Sequence, residues 1–66
     1  MTVKFIELMS TSPHSWEEAA QNAVTEASKT LRNITGMDVI GFKTEVKDGK
    51  ITEYKAHVRI AFVVER

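Results

Sequence analysis

Residues 15–34 read SWEEAAQNAVTEASKTLRNI, and the fold is decided by how this stretch is read. Ser15 followed three residues later by Glu18 has the form of a capping box, which starts a helix at Trp16. The apolar residues Trp16, Ala19, Ala20, Ala23, Val24, Ala27, Leu31 and Ile34 recur in steps of three and four, predicting a helix of about five turns. Its other face carries Glu17, Gln21, Asn22, Glu26, Lys29 and Arg32, with glutamates leading and the cations trailing as the helix dipole prefers. Because the apolar stripe is mostly alanine, the helix axis can come closer to its partner than a leucine face would allow. A sheet is the natural partner.

Strands are legible on both sides. Residues 3–9 alternate, with Lys4 and Glu7 interrupting Phe5, Ile6 and Leu8, and predict a first strand. Ser10-Thr11-Ser12-Pro13-His14 is expected to turn before the helix. Beyond it, Asn33 and Gly36 punctuate the C-terminal end. Residues 37–47 then predict a second strand in which Gly41 marks a bulge or bend. Asp48-Gly49 tolerates the positive φ values of a type I′ hairpin turn. A third strand starts at Ile51, with Tyr54, Ala56, Val58, Ile60, Phe62 and Val64 on one face and Glu53, Lys55, His57 and Arg59 on the other.

Right-handed crossover makes strands one and two parallel, and the third fits between them, antiparallel to both. The expected class is α+β, a β-α-β-β chain with a three-stranded antiparallel sheet of order 1-3-2 on one helix. A two-residue loop places Val46 opposite Ile51, Phe42 opposite Lys55, Ile40 opposite His57 and Asp38 opposite Arg59. That register puts Phe42, Ile40, Val46 and Ile51 on the face away from Tyr54 and Val58.

Length and composition narrow the function. Residues 1–66 form one domain, and a chain this short buries only about 60% of its unfolded surface. With no cysteine, neither disulfides nor thiolate metal sites can compensate. A helix of roughly 28 Å cannot cover strands of roughly 40 Å, so apolar residues and sheet edges are left for other copies to cover. A homo-oligomer is expected. Nine basic and nine acidic residues cancel and are scattered, which argues against nucleic acid as a partner. No segment approaches a membrane span and the N-terminal apolar run is too short for a signal, so no membrane is expected and the cytoplasm is the default location.

Catalytic chemistry finds little support. No phosphate-cradling loop, nucleophile elbow, zinc signature or calcium loop is present. His14 reads as an exposed turn residue and His57 as a solvent or interface residue. Ser10, Thr11, Ser12 and Ser15 lack a base and an orienting carboxylate, and Glu17 and Glu18 point about 100° apart on a helix. Trp16 is expected to anchor a core or an interface. The chain is not expected to be an enzyme.

Taken in order, Thr11-Ser12-Pro13-His14-Ser15-Trp16-Glu17-Glu18-Ala19-Ala20-Gln21-Asn22-Ala23 closely resembles the signature of dodecins. Residues 27–34, 48–54 and 60–62 continue the resemblance over nearly the whole chain. It implies a β-α-β-β subunit of a hollow homododecameric shell whose flavin-binding members store or quench flavins without turnover. The same resemblance marks three substituted pocket positions. Gly36 stands where flavin-binding members carry the stacking tryptophan, Lys55 where they carry a glutamine with both donor and acceptor, and Lys43 where an arginine often occurs.

The expectation is therefore a non-catalytic dodecin-like shell with weakened or lost flavin binding, resembling the calcium-binding or ligand-free branch. It would sequester an ion or another small ligand, or serve as a structural particle. Copies of Glu7, Asp38, Glu45 or Glu53 would supply carboxylates at a symmetry axis. One alternative keeps storage of riboflavin, FMN or FAD in a rearranged pocket, with Tyr54, Phe42 or Trp16 of a neighbour offering an aromatic face. Another gathers Lys55, Lys43 and Arg59 around phosphate-bearing ligands. No cofactor is assigned from the sequence, and flavin is the one that the resemblance offers.

Overall fold

The computed structural model describes residues 1–64. Its elements are β1 (Thr2–Ser12), α1 (Trp16–Ala27), β2 (Ile34–Lys47) and β3 (Lys50–Val64). The sheet order is β1-β3-β2, with β3 antiparallel to both neighbours, so β1 and β2 run parallel as crossover chirality requires.

The helix is shorter than its apolar spacing predicts. It ends at Ala27, where the Ser28 N–H donates to the Val24 carbonyl at 2.9 Å. The chain then tightens, Lys29 and Thr30 donating to Glu26 and Ala27 at 3.2 Å. Asn33 adopts φ 60° and turns the chain into β2, so Ile34 belongs to the sheet and Lys29 and Arg32 lie beyond the helix. Its last turn holds no basic residue. Ser28 and Thr30 hydrogen-bond locally too readily to extend a helix unaided, while Leu31 and Ile34 still pack against the core from outside it.

The predicted turn before the helix is also corrected, because β1 continues through Ser12. Ser12 is buried and its hydroxyl organises the junction, accepting from the His14 N–H at 2.9 Å and the Ser15 N–H at 3.3 Å while donating to the Glu18 carboxylate. Ser15 caps the helix as expected, its Oγ accepting from the Glu18 N–H at 3.0 Å. The reciprocal arm of the capping box is rerouted, since Glu18 binds Ser12.

Helix and sheet meet through small residues. Ala19, Ala23 and Ala27 of α1 pack with Ala56, Val58 and Ile60 of β3, flanked by Ile6 and Leu8 of β1 and by Met37 of β2. Alanine allows this close approach, and the β-branched residues of the sheet fill the remaining space.

The hairpin turn forms with Asp48 at φ 53° and Gly49 at φ 75°, the left-handed pair of a type I′ turn. Val46 pairs with Ile51 and Asp38 with Arg59, as a simple two-residue loop requires. Between these pairs the expected register fails. Thr52 has no partner on β2, so Phe42 faces Ala56 instead of Lys55, and His57 faces Gly41 instead of Ile40. Ile40 is the compensating extra residue on β2, and it restores the register before Asp38. Paired residues point to the same face, so Phe42 belongs on the helix side with Ala56, opposite to the expected placement.

The molecule is long, 51 × 19 × 13 Å, with a radius of gyration of 13.5 Å against roughly 11 Å for a compact chain of this length. Its accessible surface is 4889 Å², where a compact monomer of this mass would expose about 4200 Å².

Candidate functional site

The sheet face without a helix carries most of the candidate chemistry. Alternate residues of β3 project Lys55, His57 and Arg59 there, and each meets a carboxylate from a flanking strand. Lys55 Nζ lies 3.4 Å from Glu45 Oε2, His57 Nε2 3.4 Å from Glu7 Oε2, and Arg59 Nη2 3.4 Å from Asp38 Oδ2. The partners alternate between β2, β1 and β2, which gives a staggered row of polar pairs down the central strand. The Arg59 guanidinium also sits 5.3 Å from the centroid of the Phe5 ring. Lys43 lies directly opposite Lys55 and Glu45 opposite Glu53, two like-charge pairs that the diagonal Lys55–Glu45 contact relieves.

Two of the three pocket positions marked in the sequence meet in one subunit, and the third does not. Lys43 and Lys55 are cross-strand partners, whereas Gly36 pairs with Ala61. Ala61 lies six positions beyond Lys55 on β3, about 20 Å at roughly 3.3 Å per residue. A single ring system cannot touch Gly36 and Lys55 of the same chain, so a ligand using both must draw on two copies. Gly36 is exposed, a Cβ built there meets nothing within 4 Å, and its φ lies outside the left-handed region. Backbone and packing therefore do not require glycine at this position.

Glu7, Asp38, Glu45 and Glu53, expected to supply carboxylates, share this face; Lys55 engages Glu45, Arg59 engages Asp38 and the His57 ring engages Glu7, while Glu53 lies opposite Glu45. Among the described residues no three His, Asp or Glu side chains are arranged to hold a metal ion within one subunit. Likewise, Lys55 and Arg59 are neutralised by Glu45 and Asp38.

Trp16 anchors the helix to the hairpin within its own chain. Its Nε1 donates to the Lys43 carbonyl at 3.1 Å, and its ring meets Phe42 at 5.6 Å and Tyr54 at 5.1 Å, both edge to face. The sequence register hid this cluster because it put Phe42 on the wrong face. Only the bulge at Thr52, which no turn residue announces, brings the three rings together. The Thr52 hydroxyl donates to the Glu45 carbonyl at 3.3 Å across that bulge. At the far end of the sheet an open groove of about 470 Å³ is lined by Thr30, Leu31, Arg32, Asn33 and residues 62–64.

A lone helix on one face of a three-stranded sheet, with a charged opposite face, defines a small β-α-β-β subunit. A sequence model of the dodecin family matches residues 2–65, and the chain belongs to that family. The dodecin of Streptomyces coelicolor is 31% identical, with 98% of this chain and 93% of that one covered at a TM-score of 0.94. The Streptomyces davaonensis dodecin is 25% identical over 98% and 96% of the two chains, with a TM-score of 0.93. A calcium-chelating immunodominant antigen of Mycobacterium tuberculosis, a calcium dodecin with a novel calcium-binding site, is 33% identical over 98% and 93%, with a TM-score of 0.86. A search of curated proteins finds no match. No helix among the described residues is long and apolar enough to cross a membrane.

Proposed function

We propose that residues 1–66 act as a single non-catalytic subunit of a homododecameric shell that has weakened or lost flavin binding and sequesters an ion or another small ligand. The observation that carries this reading is Gly36. The resemblance puts the stacking tryptophan there, and the position is open and exposed, with room for a side chain it does not have. Aromatic stacking contributes about 0.5–1.5 kcal/mol beyond buried area. Lys55 compounds the loss, because its ammonium donates only and is already directed at Glu45.

Within one chain Trp16, Phe42 and Tyr54 pack on one another on the helix side of the sheet, away from Gly36, Lys43 and Lys55, so a rearranged flavin pocket would have to take its aromatic face from another copy. The ion-sequestering branch is supported by likeness to the calcium dodecin and by the four carboxylates Glu7, Asp38, Glu45 and Glu53 on the helix-free face.

The test is a fluorescence titration of riboflavin and FMN with the assembled protein beside its Gly36→Trp variant, together with the native mass. The reading expects a twelve-subunit mass, unchanged flavin fluorescence with the wild type, and quenching by the variant. Quenching by the wild type at micromolar flavin would restore flavin storage as the function.

A further inference from the structure

We infer that Met9, His57 and Glu7 form a binding site for a soft, singly charged metal ion, cuprous copper, on the helix-free face of each subunit. This rests on the ion-sequestering reading and deepens it by naming the chemistry of the ion and its ligands.

Strand register brings the three side chains together. Glu7 and Met9 stand two apart on β1, on the face opposite Ile6 and Leu8, which pack against the core. Met9 is the cross-strand partner of His57, so their Cα atoms are about 4.5–5.5 Å apart and their side chains share a face. His57 Nε2 lies 3.4 Å from Glu7 Oε2. A normal N–H···O bond is shorter, about 2.7–3.2 Å. Two donors that share an ion have this wider spacing, because ligands about 2.0–2.1 Å from a metal stand about 3.3–3.5 Å apart in trigonal or tetrahedral coordination. On its other flank His57 faces Gly41, where a Cβ would meet nothing within 4 Å. Met9 is 48% exposed and the His57 side chain 30%, which leaves an ion a way in from solvent.

The row of polar pairs also leaves Glu7 without a permanent cation. Lys55 is directed at Glu45. Arg59 is the direct cross-strand partner of Glu7, yet it reaches Asp38 and lies over the Phe5 ring. Glu7 is left with an imidazole, which in its neutral form balances no charge. A singly charged ion between the two would complete the row.

The donor set selects the ion. Thioether sulfur is a soft ligand that favours cuprous copper, and imidazole binds copper well. Calcium takes about six to eight oxygens, and this corner offers one carboxylate. Met37 packs against the core, whereas Met9 lies outside it with its thioether beside the ring.

The test is an anaerobic titration of the assembled protein with copper and excess ascorbate against a colorimetric cuprous chelator. One copper per subunit is expected, and of the methyl resonances of Met1, Met9 and Met37 only that of Met9 should move. Loss of a partner outside the first coordination sphere already costs about 10–100-fold in metal affinity. Met9→Leu, which conserves volume, should therefore weaken cuprous binding at least about tenfold, and His57→Ala at least about a hundredfold. Glu7→Gln, which removes charge and little else, should reproduce Met9→Leu. Circular dichroism and native mass should match the wild type in all three, and excess calcium should not displace the copper.

Copper held as tightly by any of these variants, a shift of Met1 or Met37 in place of Met9, or displacement by calcium overturns the site. The two readings fail separately. A shell that neither quenches flavin nor holds copper keeps the proposed function and discards this site. Copper held through Met9 and His57 by a protein that quenches flavin keeps the site and discards the loss of flavin binding.

Discussion

β3 is paired on both sides, but its two pairings differ. Against β1 the register runs unbroken through eleven pairs from Thr2↔Val64 to Ser12↔Tyr54. Against β2 it shifts three times, between Ile34 and Gly36, between Val39 and Gly41, and between Glu45 and Val46. The regular side supports the core, since Ile6 and Leu8 lean with Val58 and Ile60 on the alanine stripe of α1. On the irregular side stand Gly36 and Lys43, the two β2 positions that the family resemblance marks. Bulges re-aim side chains and twist a strand, so the half of the sheet that tolerates them is the half where side-chain direction can be changed without disturbing the core.

The sharpest way to break this comparison is to attack the regular side. Ile60→Ala removes the largest side chain with no exposed surface, between β1, β2 and the helix. It should cost about 2–5 kcal/mol, depending on how far the alanine-lined site collapses, read as a shift in the denaturant midpoint at unchanged slope. Gly41→Ala, at the bulge on β2, meets nothing within 4 Å and should stay within about 0.5 kcal/mol of wild type. If the two substitutions cost the same, the division of labour between the pairings is wrong.

Next in size comes the anchor that ties the irregular side to the helix. Trp16→Phe keeps an aromatic ring against Phe42 and Tyr54 but leaves the Lys43 carbonyl without its indole donor. The expected cost is about 0.5–1.5 kcal/mol. Because Trp16 is the only tryptophan, the wild-type emission should also report this corner, and Phe42→Ala should shift it to the red. An unshifted spectrum in Phe42→Ala would mean that the ring cluster does not persist in solution.

How legible each side was follows from the same difference. The β-rich composition of β1, the alternation in β3, Asp48-Gly49 and the alanine steps of α1 specify element order, sheet order and the core residues Ala19, Ala23, Ala56, Val58 and Ile60, because each rests on a residue preference, a period or a turn chemistry. The end of α1 was misread because Leu31 and Ile34 keep the helical spacing while packing from a turn and a strand. Gly41 announced the bulge on β2 and Thr52 did not, since threonine is an ordinary strand residue. That silent bulge moved Phe42 to the other face and hid the cluster around Trp16. The separation of Gly36 from Lys55 within one chain was equally hidden, because positions in a motif carry no distance until the register is known.

The smallest effect concerns the charge row on the helix-free face, where the two pairings meet on β3. Arg59 and Asp38 approach at 3.4 Å, but their side chains keep 46% and 66% of their exposure. Water and salt screen such a pair, so a double-mutant cycle with Arg59→Ala and Asp38→Ala should give a coupling below about 1 kcal/mol, shrinking further as ionic strength rises and the screening length falls. Arg59 also stacks on Phe5 across the regular pairing. Phe5→Leu should therefore lower the cost of Arg59→Ala at every salt concentration, because a contact with a ring face resists screening better than an exposed ion pair. A coupling of Arg59 to Asp38 that is large and independent of salt in the assembled protein would mean that neighbouring copies bury this face, and the row would then belong to an interface in the shell.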